Sequence, residues 1–138
     1  DPFVIGKANI LRQGTDVTII GCGIMVSEAL QASEILKKEG ISARVVNMHT
    51  IKPIDEAMIV DSVHKTGVIV TAEEHQIHGG LGSAVAEVLG RKAPAPLEMV
   101  AVNDVFGESG SAQELLSAYH LKDVDIVQAV KKAMKRKK

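Results

Sequence analysis

Four short runs of β-branched and aliphatic residues pace this chain: Asp16–Gly21, Ala43–Met48, Gly67–Ala72 and Leu97–Val102. Each has the length and composition of a buried strand, and segments with helical periodicity lie between them. Met25, Ala29, Ala32 and Leu36 recur on one face of a segment from Met25 to Glu39, and Gly40 supplies its C-terminal stop. Asp55 is a natural N-cap for a helix running to about Lys65, with Ile54 placed to staple Ile59. A third stripe runs through Leu81, Ala84, Val85, Val88 and Leu89, with Gly90 expected to end it. Ser111 and Glu114 form a capping box for a short helix to about Tyr119, after a polar loop from Asn103 to Gly110. Asp123 or Asp125 opens a last helix, with Ile126, Val130, Ala133 and Met134 on one face. Strands separated by helices need right-handed crossovers, which build a parallel sheet covered on both faces. The pattern predicts one three-layer α/β domain.

Composition narrows the partners. The 138 residues are enough for one real core, and at 46% hydrophobic the chain is globular. Only 2% are aromatic, so the core is Val, Ile, Leu, Ala and Met. That poverty, with a net charge of −1, argues against nucleic acid, which wants stacking rings or a basic field. The single cysteine, Cys22, leaves no internal disulfide and fits a reducing, cytoplasmic setting. No apolar run approaches the roughly 18–20 residues of a membrane span, and no signal peptide is visible. A start at Asp1 rather than Met reads as a fragment or a processed product.

The polar focus falls between Gly67 and Gly82. A buried strand ends in Glu73, Glu74, His75 and His78, and Gly79, Gly80 and Gly82 then open a helix. Ligands and partners gather at the carboxyl ends of strands in open α/β sheets. Glu73, Glu74, His75, Gly79, Gly80 and Gly82 are therefore the candidates for an interface or an anion site. Metal binding is disfavoured, because His75 and His78 have no helix to align both rings. Glu73 and Glu74 are adjacent on a strand end, so they point to opposite sides and make no acid–base pair. The helix-start amides suit an anion, but no lysine follows in the position of a phosphate loop. A β-branched side chain at Gly80 fits poorly if φ is positive there.

Other motifs fall short of chemistry. Gly21-Cys22-Gly23 starts like a dinucleotide fingerprint, but Val26 stands at the third glycine and no carboxylate ends the following strand. Gly107-Glu108-Ser109-Gly110 has the wrong order for a nucleophile elbow. The six cations between Lys131 and Lys138 read as a solvated helix end. From the residues alone, no catalytic residue, cofactor site or metal site is assigned.

Four segments in fixed order carry a resemblance: Thr50–Asp55, Thr71–His75, Gly79–Glu87 and Asp104–Gly110. Together they resemble the C-terminal domain of transketolase, over about Lys7 to Met134. The Phe-Gly-Glu-Ser-Gly form looks more like the C-terminal subunits of split prokaryotic transketolases than like deoxyxylulose-phosphate synthase. The β-subunits of 2-oxoacid dehydrogenases resemble the chain less. The resemblance implies a mostly parallel five-stranded sheet, with Ala8–Arg12 as an antiparallel edge strand. It implies residues 1–6 as a linker from an upstream domain and residues 7–138 as the C-terminal domain. It also implies a dimeric or otherwise homo-oligomeric enzyme of the pentose phosphate pathway that moves a two-carbon ketol unit between sugar phosphates. That enzyme uses thiamine diphosphate with Mg²⁺ or Ca²⁺, held between upstream pyrophosphate- and pyrimidine-binding domains. The family's metal motif, Gly-Asp-Gly, is missing here, and its activating glutamate belongs to the preceding domain. Glu73 and Glu74 are therefore not given that role. The expectation is a domain for assembly and regulation, inactive alone and without cofactor of its own. A stand-alone partner-binding or regulatory module, or the equivalent domain of deoxyxylulose-phosphate synthase, is the alternative.

Overall fold

The computed structural model describes residues 7–23, 25–49, 51–74, 80–102 and 123–137. Its strands are β1 (Asn9–Arg12), β2 (Val17–Gly21), β3 (Ala43–Asn47), β4 (Ile69–Glu74) and β5 (Leu97–Val102). The described helices are α1 (Met25–Lys38), α2 (Glu56–Thr66), α3 (Leu81–Lys92) and α4 (Asp123–Lys135). The five strands run in the order β1-β3-β2-β4-β5. β2, β3, β4 and β5 pair in parallel, and β1 lies antiparallel on the β3 edge, as the resemblance implied.

Two apolar layers sandwich the sheet. One joins Val17, Ile19, Val45, Val70 and Ala72 to Met25, Ala29, Ala32 and Leu36 of α1 and to Ile126, Val130 and Ala133 of α4. The other joins Ile20, Val46 and Ile69 to Ile59 of α2 and to Leu81, Val85, Val88 and Leu89 of α3. Each aliphatic side chain buried this fully contributes about 1.5–3 kcal/mol, so the layers, not local propensity, hold the helices. Strand alternation sends Val70 and Ala72 to the first layer and Ile69 to the second. Thr71 and Glu73 share the parity of Ile69, and so face α2 and α3.

Three boundaries differ from the sequence expectation by two residues or more. β4 begins at Ile69 rather than Gly67, because Gly67 is the left-handed cap of α2 (φ 73°), with its amide bonded to the Val63 carbonyl. β4 also runs two residues further, so Glu73 pairs with Ala101 and Glu74 with Val102 inside the sheet. α3 continues through Gly90 to Lys92, where Arg91 and Lys92 meet Glu56 of α2 in ion pairs. Those cations, Lys92 first, hold the half-buried Glu56 carboxyl below the usual range. Asp55 caps α2 as expected, accepting from the Met58 amide at 3.1 Å, and Ile54 and Ile59 share one apolar layer. The expected loop at Asn103–Gly110 and short helix at Ser111–Tyr119 lie outside the described residues.

Candidate functional site

Glu73 is the centre of the strand-end face. Its carboxylate is only 3% exposed. Oε1 accepts the Leu81 amide at 2.8 Å and Oε2 the Gly82 amide at 2.6 Å. These are two of the first N–H groups of α3, which no turn of the helix can satisfy. Gly80, at the N-cap, has no side chain to satisfy them. Glu73 does so from the neighbouring strand, and its negative charge sits at the positive end of the helix dipole.

Gly82 lets the start of α3 lie close against β4 and β5. A Cβ there would lie 2.5 Å from Met99 Sδ and 3.2 Å from Thr71 Oγ1. Gly80 has φ −69° and ψ −175°, an extended conformation open to any residue. The condition for a poor fit at Gly80, a positive φ, is not met, and the close contact falls two residues later. His75, Gly79 and the side chain of Glu74 lie outside the described residues.

Two further carboxylates share Glu73's task. Glu28 of α1, 3% exposed, accepts the Asp123 amide at the start of α4 at 3.0 Å, across 95 residues of sequence. Asp55 caps α2 and with Oδ2 also accepts the Ala8 amide at 2.9 Å, which ties the residue before β1 to the start of α2. Sequence reasoning missed Glu28 and the Ala8 contact. The signal for Glu28 was present: it falls in the helical register of Met25, Ala29 and Ala32, a carboxylate on an otherwise apolar stripe. Buried there, it needed a donor.

The chemistry open to this face follows. The start of α3 already holds an anion, the chain's own carboxylate, and a second anion beside it would be repelled. The start of α3 therefore does not fit the diphosphate of thiamine diphosphate. Among them no group of three or more His, Cys, Asp or Glu is placed to hold a metal. None of their helices is long and apolar enough to cross a membrane.

Fold and site together define a three-layer α/β domain in which the buried carboxylates Glu73, Glu28 and Asp55 are spent on the starts of its own helices. The model of the transketolase C-terminal domain family matches residues 6–126. The chain belongs to that family. It is 50% identical over 137 residues to the 6-deoxy-6-sulfo-D-fructose transketolase subunit SqwH of Clostridium sp., covering 99% of this chain and 42% of that protein. It is 42% identical over 136 residues to the 1-deoxy-D-xylulose-5-phosphate synthase of Desulforudis audaxviator, covering 97% of this chain and 21% of that protein. Its fold matches a split-gene transketolase solved as an inactive beta4 tetramer, with a TM-score of 0.92 and 52% identity over 99% of this chain and 45% of the other. The chain thus spans less than half the length of these relatives.

Proposed function

We propose that this chain is the C-terminal domain of a split-type, thiamine diphosphate-dependent transketolase that transfers a two-carbon ketol unit between sugar phosphates. The observation that supports this reading is likeness over 99% of this chain, at 50% identity to the SqwH transketolase subunit and a TM-score of 0.92 to a split-gene transketolase. The synthase reading has less support, at 42% identity. In the proposed enzyme, upstream pyrimidine- and pyrophosphate-binding domains or a subunit hold thiamine diphosphate with Mg²⁺ or Ca²⁺. Residues 1–6 are the linker toward them and residues 7–138 the domain. The assembly is a cytoplasmic homo-oligomer, a dimer at its simplest.

The isolated chain is expected neither to bind thiamine diphosphate by calorimetry nor to turn over sugar phosphates. Completed with its upstream part, it should transfer a ketol unit to an aldose phosphate without releasing CO2. A panel that includes 6-deoxy-6-sulfo-D-fructose tests the substrate named for its relative. Micromolar cofactor binding by the isolated chain would overturn the division of labour. Release of CO2 would move the assignment to the synthase.

The strand-end face acts in this reading as an interface. Glu73 is spent on the start of α3, and His75 is the residue proposed to meet a neighbour. His75→Ala should weaken subunit association in sedimentation while leaving the melting temperature within about 2 °C. Unchanged association would count against the interface.

A further inference from the structure

The two edges of the sheet are finished differently. β1 is a four-residue strand with a register break between Ile10 and Arg12, and Arg12 crosses to Ser33 and Glu34 of α1. Shortness, a bulge and a charge all keep an edge from pairing with another chain. β5 is six residues long, unbroken in register and without proline. Its one charge, Glu98, is drawn to Lys132 at 3.6 Å and Arg136 at 2.7 Å on the α4 face.

The peptide groups on that edge follow from the pairing with β4. Ile69 N–H donates to the Pro96 carbonyl at 3.0 Å, and the register then holds from Ile69–Leu97 to Glu74–Val102. Peptide groups alternate along a strand, so those of Glu98 and Val100 turn to β4, and those of Leu97, Met99 and Ala101 turn away from it. Arg136 Nη1 donates to the Leu97 carbonyl at 2.9 Å, which agrees with that direction and fills one place. Among the described residues the Met99 N–H and C=O have no partner, and no strand lies beyond β5. The Met99 side chain, 56% exposed, is the most exposed large hydrophobic among them. Its Sδ fills the space that a Gly82 side chain would take, and Leu97 belongs to the α3 layer, so an apolar margin runs beside the open backbone.

We propose that the β5 edge is a self-association surface, on which a second copy of this chain pairs antiparallel about a two-fold axis at Met99. An axis perpendicular to the sheet keeps the α3 layers of both copies on one side, so facing residues must share a face of the sheet. Met99 then faces Met99 as a pair that exchanges both N–H···O=C bonds, with Leu97 opposite Ala101 on either side. Glu98 faces Val100, so no like charges meet across the pair. The two Met99 side chains lie side by side and cover each other's exposed surface. A copy is the occupant that the strand itself specifies: its outward peptide groups, its apolar centre and the place of its single charge all match their own two-fold image. This goes beyond ketol transfer and does not depend on it, and the test reads no turnover.

The full-length protein containing this chain carries the test. In Met99→Cys the paired Cα atoms stand about 5.5 Å apart, within disulfide range. Mild oxidation should join residue 99 to residue 99 between copies, identified by peptide mass spectrometry, at about ten times the yield of the matching bond in Leu11→Cys on the other edge. Met99→Lys sets two like charges against each other and should speed hydrogen exchange at the residue 99 amide about tenfold, with the β4 amides still protected. Met99→Cys is the smaller change and serves if Met99→Lys fails to fold. A native protein that sediments as a monomer at micromolar concentration overturns the proposal. So does a Met99→Cys yield no higher than that of Leu11→Cys, or a residue 99 amide that exchanges equally in the native protein and in Met99→Lys. A crystal structure with another domain of the same protein laid along β5 overturns it as well.

Discussion

Glu73→Ala lowers the stability of the domain by about 3 kcal/mol, and Glu73→Gln by about half of that. The alanine leaves the buried Leu81 and Gly82 amides without an acceptor. Each orphaned buried donor costs about 1–3 kcal/mol, and lost charge at the helix start adds about 0.3–1. Glutamine keeps one carbonyl oxygen for one of the amides but loses the charge. Chemical denaturation gives the ranking, and the alanine should also lower the melting temperature by about 10 °C. A loss under about 1 kcal/mol, or equal losses for the two variants, would mean that α3 does not depend on this cap.

Gly14→Ala is expected to be at least as damaging, through sterics alone. A Cβ on Gly14 would lie 2.2 Å from the carbonyl carbon of Ala43 and 2.3 Å from the amide nitrogen of Arg44. These are backbone atoms of β3, which is held on one side by β1 and on the other by β2. A side chain in the way can rotate; a paired strand has to shift. Overpacking costs about 1–3 kcal/mol where side chains give way, and the rigid partner puts this site at or above the top of that range. Soluble yield and a thermal melt measure it. A variant melting within about 2 °C of the native domain would show that β3 yields at little cost.

The pattern of the chain told much about the fold and little about why the site is built as it is. The alternation of aliphatic runs with amphipathic stripes predicts the three layers, since burial periodicity survives in any sequence that must cover a sheet. The α2 cap at Asp55 was legible because it is local, three residues from the amide it accepts. Glu73 was legible as part of a polar cluster but not as a cap. Its partners lie eight and nine residues on, and their approach depends on how far β4 extends. Glu28 and Gly14 act on partners 95 and 29 or more residues away, distances at which spacing carries no signal. Only the path of β3 beside Gly14 shows that any side chain there would collide. The stop expected at Gly90 failed for another reason. A Cβ there would meet nothing within 4 Å, and the basic end of α3 finds Glu56 one turn further on. Tertiary contact overrode a local breaker.

The placement of α4 has a consequence for how the domain is made. Ile126, Val127, Val130 and Ala133 complete the layer that also holds α1, and Glu28 waits on the Asp123 amide. The opposite layer draws its helices from residues 56–92. A ribosome therefore releases the material for one side of the sheet well before the other, and a nascent chain ending near residue 102 has Val70, Ala72 and Val100 but not their α4 partners. Half-covered sheets are prone to aggregation while synthesis continues. Among the described helices, the 13-residue α4 is thus the one that covers this layer, and truncations within it should reach the chaperones before they reach an assay.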